Sequence, residues 1–449
     1  MKKSLFMALA AGTFLFSACS SDDALNNDVA QDNSAQQIVL QVASSGDGLQ
    51  TRAGRPLYSS AALQAIDKVR VLVYNPTDMK IAYDSNVLEW KDSKEYTTGG
   101  HGRRLTVTIK GTEKLTAGNY KIVAVGYTSN GDYTYAQDVT GTASLKGETY
   151  SDITATLKAS TMDAEEVFAG DADLKINDDL SVDNKATGEI GAAVTMHRQV
   201  AGGFGYFTNI PSQIDGVDAT TLRLVMRVKN NMLTFNNFNH DFTDKDANVK
   251  YVVNGSLSSV VTAPASDAKF SDGGNAYVLY SINLKTWFPN GDQNGDGFLG
   301  KADYDTDNAN WVHDSNIKVS LVKGSVFAGK FIIPFSKTTG SNSMELQLLS
   351  ADGTILKVWN ISITSAAAST TKISDFDVVR NHMYNLGFKT TQNVTPKPGE
   401  PDPDPTPNPG PDPDGPTPGT DQPEDLSKGQ NLVLKVNDNW ETIHQLELD

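Results

Sequence analysis

The sequence predicts an all-β protein whose 449 residues divide between two β domains, and three observations predict it. Short runs rich in Val, Leu, Tyr and Thr alternate with Gly, Asn and Asp turn residues, as strands and their connections do. Segments with the i, i+3, i+4 apolar repeat of a surface helix are scarce. A chain of this length has room for two or three domains, and abrupt changes of composition divide it.

Six runs carry the strand pattern: Val69 to Tyr74, Leu105 to Ile109, Tyr120 to Tyr127, Leu222 to Val228, Ile317 to Val322 and Met344 to Leu349. Their density suits stacked sheets, and hence β-sandwiches. The formal net charge of −16 disfavours nucleic acid and anionic lipid surfaces as partners.

The chain opens on a targeting segment. Lys2 and Lys3 precede an almost wholly apolar run over residues 4–16, too short to span a bilayer as a helix, so residues 1–18 read as a signal peptide. Leu15-Phe16-Ser17-Ala18-Cys19 then sets small residues before the only cysteine of the chain. A thiol at that cleavage position can be thioether-linked to diacylglycerol, which makes Cys19 the predicted lipidation site. An ordinary signal peptide with a chance cysteine would leave its position unexplained. With no second cysteine there is neither a disulfide framework nor a thiolate metal cluster.

Residues 20 to about 36 are polar and acidic and read as a tether. A first β domain is expected over 53–160 and a second over 161–391. Between 392 and 430 the composition changes: twelve of the 18 prolines lie from Pro396 to Pro423, many alternating with Asp or Gly. Such a segment packs no core and serves as an extended spacer.

Residues 431–449 return to strand-like sequence. Leu432, Leu434, Val436, Trp440, Leu446 and Leu448 share one parity and point to one face of an extended chain. A lone strand leaves its backbone groups and apolar face unmet, so this one must join a sheet. Its tether of roughly 35 residues spans on the order of 100 Å when polyproline-like, which makes a neighbouring molecule an easy target.

Upstream of the first domain, Gln37-Ile38-Val39-Leu40-Gln41-Val42 matches Asn431-Leu432-Val433-Leu434-Lys435-Val436 class by class. Ile38, Leu40 and Val42 would fill the same groove as Leu432, Leu434 and Val436. Between that first strand (37–43) and the first domain lies Gly46 to Gly54, a flexible loop in which Arg52 followed by Ala53 offers a trypsin-like cleavage site. Together these features predict donor-strand exchange. Strand 37–43 holds a groove as a placeholder within a lipidated propeptide (19–52), a cut after Arg52 frees it, and the carboxy-terminal strand of another copy replaces it. A head-to-tail contact of this kind does not close on itself and generates a filament.

The ordered set of motifs resembles the fimbrillin family of Bacteroidales, the pilins of type V pili. It comprises the segment ending in Cys19, Thr51-Arg52-Ala53, Leu115 to Val125, Val194 to Gly202, Asn209-Ile210-Pro211, and Arg380 to Leu386 before the proline tract. The resemblance implies two transthyretin-like β-sandwich domains in tandem and transport to the outer membrane as a lipoprotein. It also implies removal of the amino-terminal segment by an arginine-specific protease, and polymerisation into a surface fibre that supports adhesion. Shaft subunits carry a carboxy-terminal extension of the kind seen here. The expected partners are therefore other copies of the chain and related pilins, with the outer membrane engaged through lipid before processing.

Asp292, Asn294, Asp296, Phe298 and Asp303 fall at positions 1, 3, 5, 7 and 12 of an EF-hand-like loop, with Gly297 at the sharp turn. Oxygen ligands at this spacing suit a structural Ca2+, and no cofactor is otherwise required. A surface turn rich in Asp, Asn and Gly is the plainer alternative. No Gly-rich phosphate loop, His-Glu-x-x-His or Gly-x-Ser-x-Gly occurs, and the six histidines show no ligand spacing. The sequence thus points to a structural protein and not an enzyme. The rival is a monomeric, surface, glycan-binding lipoprotein, which would have no use for the Arg52 loop or the matching terminal strand.

Overall fold

The computed structural model describes residues 36–44, 66–96, 101–129, 131–158, 164–183, 191–236, 252–259, 268–305, 322–336, 343–365, 378–387, 423–428 and 431–437. In chain order the strands begin with β1 (Gln36–Ser44), β2 (Lys68–Tyr74), β3 (Ile81–Glu89), β4 (Lys94–Tyr96), β5 (His101–Ile109), β6 (Gly118–Tyr127), β7 (Tyr133–Tyr135), β8 (Thr154–Leu157) and β9 (Phe168–Ile176). Next come β10 (Ala192–Thr195), β11 (His197–Arg198), β12 (Ala201–Thr208), β13 (Ile210–Pro211), β14 (Gln213–Ile214), β15 (Val217–Asp218), β16 (Thr221–Met226), β17 (Met232–Thr234) and β18 (Gly255–Ser256). The remainder are β19 (Ala268–Lys269), β20 (Asn275–Asn283), β21 (Phe298–Leu299), β22 (Val326–Ile332), β23 (Met344–Leu349), β24 (Ile355–Ser365), β25 (Met383–Leu386), β26 (Glu424–Asp425) and β27 (Asn431–Asn437). Among the described residues the one α-helix, α1 (Leu284–Trp287), is a single turn, so the protein is all-β.

Five of the six expected runs are strands: β2, β5, β6, β16 and β23. The sixth, Ile317 to Val322, lies outside the described residues except for Val322.

Two sheets form the first unit. One has the order β10-β1-β5-β4 and the other β11-β9-β6-β2-β3. Between them Ile38, Leu40, Val107, Ile109 and Val194 meet Val69, Val71, Ile122, Phe168 and Leu174 in one buried cluster. The second sheet is covered on its other face as well. There Leu72, Val123, Val125 and Tyr127 pack against Tyr133, Tyr135, Ile153 and Leu157, which belong to or flank a small sheet of order β18-β17-β8-β7. Double cover explains why β2 and β6 are apolar almost without alternation, since each of their faces meets a core.

Buried in that second sheet, Arg70 forks onto Asp84 through Nε (2.8 Å) and Nη2 (2.5 Å). Its remaining donors reach the carbonyls of Asp138, Gly141 and Ala143. Asp84 in turn accepts from the backbone N–H of Leu145 and Asn86. Every strong hydrogen-bonding site of the pair is met, as an ion pair without exposure requires.

The second unit is a large sheet of order β19-β20-β16-β23-β24-β27-β25-β12-β22, with β26 beside β12. It curls until β22 lies beside β20, and its core includes Phe207, Leu222, Leu346, Trp359, Ile361, Tyr384, Leu386, Leu426 and Leu432.

The pairing divides the chain later than residue 160. β9 runs antiparallel to β6 along its whole length, β10 pairs with β1, and β11 pairs with β9. β9, β10 and β11 therefore belong to the first unit, and the second begins with β12. The small sheet ties the two together, because β17 of the second unit pairs with β8 of the first.

Candidate functional site

β1 is an interior strand, not an edge. It runs antiparallel to β5, from Gln36↔Ile109 to Ser44↔His101, and parallel to β10, from Ile38↔Ala192 to Gln41↔Thr195. Ile38, Val39 and Leu40 all have zero exposure, so the centre of β1 is buried on both faces, which parity alone did not indicate for Val39. Val42 lies on the same strand.

Two further residues shape this slot and have no counterpart in the sequence reading. Gln36 is buried, and its Nε2 donates to the carbonyls of Leu115 (2.8 Å) and Leu180 (3.0 Å), while its Oε1 accepts from the N–H of Leu115 (2.7 Å). Its amide thus acts as a detached peptide group that ties β1 to two turns of the first unit. Gly191, just before β10, packs so closely that a Cβ there would lie 2.0 Å from the Gln37 carbonyl oxygen. Nothing larger fits without moving the strand.

The terminal segment has a place of its own in the chain. β26 pairs with β12 through Phe207↔Glu424 and Thr208↔Asp425, and Leu426 and Leu432 are buried in the second core. The Asp425 carboxyl is pushed up by burial, but bonds from Ser427 and Lys428 outweigh that and hold it down at about 2. β27 then lies between β24, to which it is parallel from Asn360↔Asn431 to Ser365↔Val436, and β25, to which it is antiparallel. The backbones of Leu434 and Val436 are part of that ladder. Trp440, Leu446 and Leu448 lie outside the described residues, as do Cys19, Arg52 and Ala53.

The two strands matched in sequence therefore occupy matched surroundings. Each sits inside a sheet with one parallel and one antiparallel neighbour.

The 292–303 loop is organised by its own backbone. Asp292 accepts from the N–H groups of Gly295 (2.7 Å) and Gly297 (2.8 Å) and from the Ser212 hydroxyl. Its desolvation is outweighed by these bonds, and its carboxyl lies below its ordinary value. Asp303, buried at the far end, accepts from Gln293 and Gly300. Asn294 donates to Asp296, and Phe298 opens the short strand that pairs with β13. Gly297 has φ of 87°, where a side chain would be strained. Among the described residues no three acidic, His or Cys side chains converge as a metal cluster. Oxygens of Asp292 and Asp303 keep lone pairs beyond those taken by N–H groups, so the donor chemistry suits a hard cation, although the side chains alone form no cage.

Residues of the Val194–Gly202 and Arg380–Leu386 motifs meet at the junction of the units. Arg198 donates to Glu166 (2.7 Å) and to the Asn381 side chain (3.2 Å), all three buried. His382 is buried, with its ring Nδ1 hydrogen-bonded to the Arg380 carbonyl (2.7 Å), which is a structural use of a histidine. These motifs build a joint, a role that their order along the chain did not reveal.

Residues 39–203 match the family model described as Major fimbrial subunit protein (FimA). A search of curated proteins gives no match. Solved structures with similarity include a fimbrial assembly protein from Parabacteroides distasonis, at 13% identity over 79% of this chain and 91% of that one, with a TM-score of 0.30. The tip fimbrial protein Mfa3 of Porphyromonas gingivalis, with a C-terminal truncation, matches at 10% identity over 78% and 93%, with a TM-score of 0.33. The fimbrial anchor protein Mfa2 of Porphyromonas gingivalis matches at 11% identity over 78% and 90%, with a TM-score of 0.33. From within β1 to the start of β12, this chain carries the pattern of the major fimbrial subunit (FimA) family.

Proposed function

We propose that this chain is a structural subunit of a cell-surface fimbria, exported as a lipoprotein on Cys19, trimmed after Arg52 and polymerised by donor-strand exchange, with adhesion as the work of the fibre. One observation carries the proposal. β1 fills an interior slot, yet it precedes Arg52 in the chain, so one cut there severs it from the rest of the unit without cutting any of the described strands.

Loss of β1 uncovers the contacts of Ile38, Val39 and Leu40, which at about 1.5–3 kcal/mol each contribute roughly 5–9 kcal/mol. A strand of the same pattern recovers that, and residues 431–436 have the pattern. The carboxy-terminal strand of another copy is the occupant argued for, so assembly is head to tail and the lipid is left on the discarded segment. A structural Ca2+ at the 292–303 loop belongs to the same proposal and takes no part in any chemistry.

The test is to treat the purified precursor with an arginine-specific protease. A product beginning at Ala53 that forms fibres is the expected result. Native surface fibres whose subunits retain residues 20–52 would refute it.

A further inference from the structure

We propose that Gln430 sets the register of the incoming strand by taking over the contacts of Gln36; this rests on the strand-exchange reading above. The match between the two ends of the chain extends one residue further than the apolar pattern requires. Gln36 stands immediately before Gln37-Ile38-Val39-Leu40-Gln41-Val42, and Gln430 stands immediately before Asn431-Leu432-Val433-Leu434-Lys435-Val436.

The apolar residues cannot fix the register by themselves. Moving a strand by two residues keeps every side chain on its own face. If the tail slid so that Leu432 took the place of Gln36, Leu434 would replace Ile38 and Val436 would replace Leu40. Those are fair apolar exchanges. What would be lost is the amide. The N–H and carbonyl of Leu115 and the carbonyl of Leu180, which Gln36 satisfies, would face a leucine side chain. Buried backbone groups without partners are strongly disfavoured. A slide the other way would put the Gln430 amide where Ile38 sits at zero exposure, in the core. Only with Gln430 in the place of Gln36 are both conditions met.

Leu180 adds to the demand. Its φ is 65°, a left-handed conformation rare for a leucine, and its carbonyl is one of the acceptors of Gln36. Expulsion of β1 leaves this turn and Leu115 without that support until another amide arrives.

The experiment reads register through disulfides. In β1, Gln41 is the partner of Arg104, so Lys435 should face Arg104 of the next subunit in the proposed register, and Asn437 should face it after the slide by two. The full precursor carries Cys19→Ser and Arg104→Cys, with either Lys435→Cys or Asn437→Cys. Each is cleaved with the arginine-specific protease and oxidised, and the linked peptides are mapped. Linkage between subunits at 104–435, with little at 104–437, is expected. Adding Gln430→Leu should cut the 104–435 linkage severalfold and raise 104–437. Gln430→Asn, one methylene too short to reach both turns, should act in the same direction.

Unchanged linkage at 104–435 in both variants would overturn the register role while leaving strand exchange intact. Absence of linkage between subunits at either pair with Gln430 present would overturn strand exchange, and the register role with it.

Discussion

Arg380 donates through Nη1 to Oε1 of Gln199, 3.1 Å away and 181 positions earlier in the chain. The same oxygen accepts from Asn254 (3.2 Å), and Arg380 also donates to the Asn236 carbonyl (2.8 Å). Gln199 closes the first unit and Arg380 leads into β25, so these bonds cross the joint. Arg380→Met keeps the bulk but removes the donors, and should cost about 2–4 kcal/mol in urea unfolding. Combining it with Gln199→Met should cost less than the sum of the two, because they share one network.

The Arg70–Asp84 pair gives a prediction in pH. Burial pushes the Asp84 carboxyl up, but the Arg70 fork and the N–H groups of Leu145 and Asn86 outweigh it, and the carboxyl ends below its ordinary value of 3.8. A carboxyl depressed in the folded state stabilises above the unfolded value and loses that contribution as pH falls through the folded one. Asp84→Asn should therefore cost about 3–5 kcal/mol at pH 7, as expected when one partner of a buried pair is lost. The gap from the native chain should narrow below pH 4 in thermal unfolding.

Removal of residues 423–449 should weaken the second unit itself. It takes Leu426 and Leu432 out of the core and strips β24 and β25 of a shared neighbour. The truncated chain should melt at a lower temperature, and a synthetic peptide of residues 423–449 should restore the transition when added in excess. Failure of the peptide to shift the transition would mean that the slot between β24 and β25 closes without it.

Gly191→Ala should loosen β1. Its new Cβ would collide with the Gln37 carbonyl, so the leading strand should show faster amide exchange, and an arginine-specific protease should cut after Arg52 faster.

Addition of Ca2+ should raise the unfolding temperature of the full chain, and Asp292→Asn should abolish the rise. A rise that survives this substitution would place the ion elsewhere.

Much of this architecture was legible from the sequence. β2, β5, β6, β16 and β23 declared themselves through β-branched and aromatic runs between turn residues. β8 and β9 are consecutive in the chain but join different sheets, and strand pattern carries no information about partner choice. The terminal strand shows the same limit. Its parity demanded a sheet, yet could not say that the interval between Ile361 and Tyr384 would receive it within its own chain. Gln36 was invisible for another reason: a glutamine at the rim of a strand looks like solvent-facing polarity until Leu115 and Leu180 are brought around it.

The walls of the β1 slot are unlike, one parallel and the other antiparallel to their occupant. Any strand that inherits both ladders must point the way β1 points, and its preceding tether must enter beside Leu115 and Leu180. Subunits joined by the proposed exchange would all be oriented alike, which would give a fibre polarity and two chemically different ends. One end would present an unfilled groove and the other a terminal strand still held between β24 and β25 of its own chain. Elongation at the two ends would then require different caps, and a molecule lacking either partner would terminate growth in one direction only.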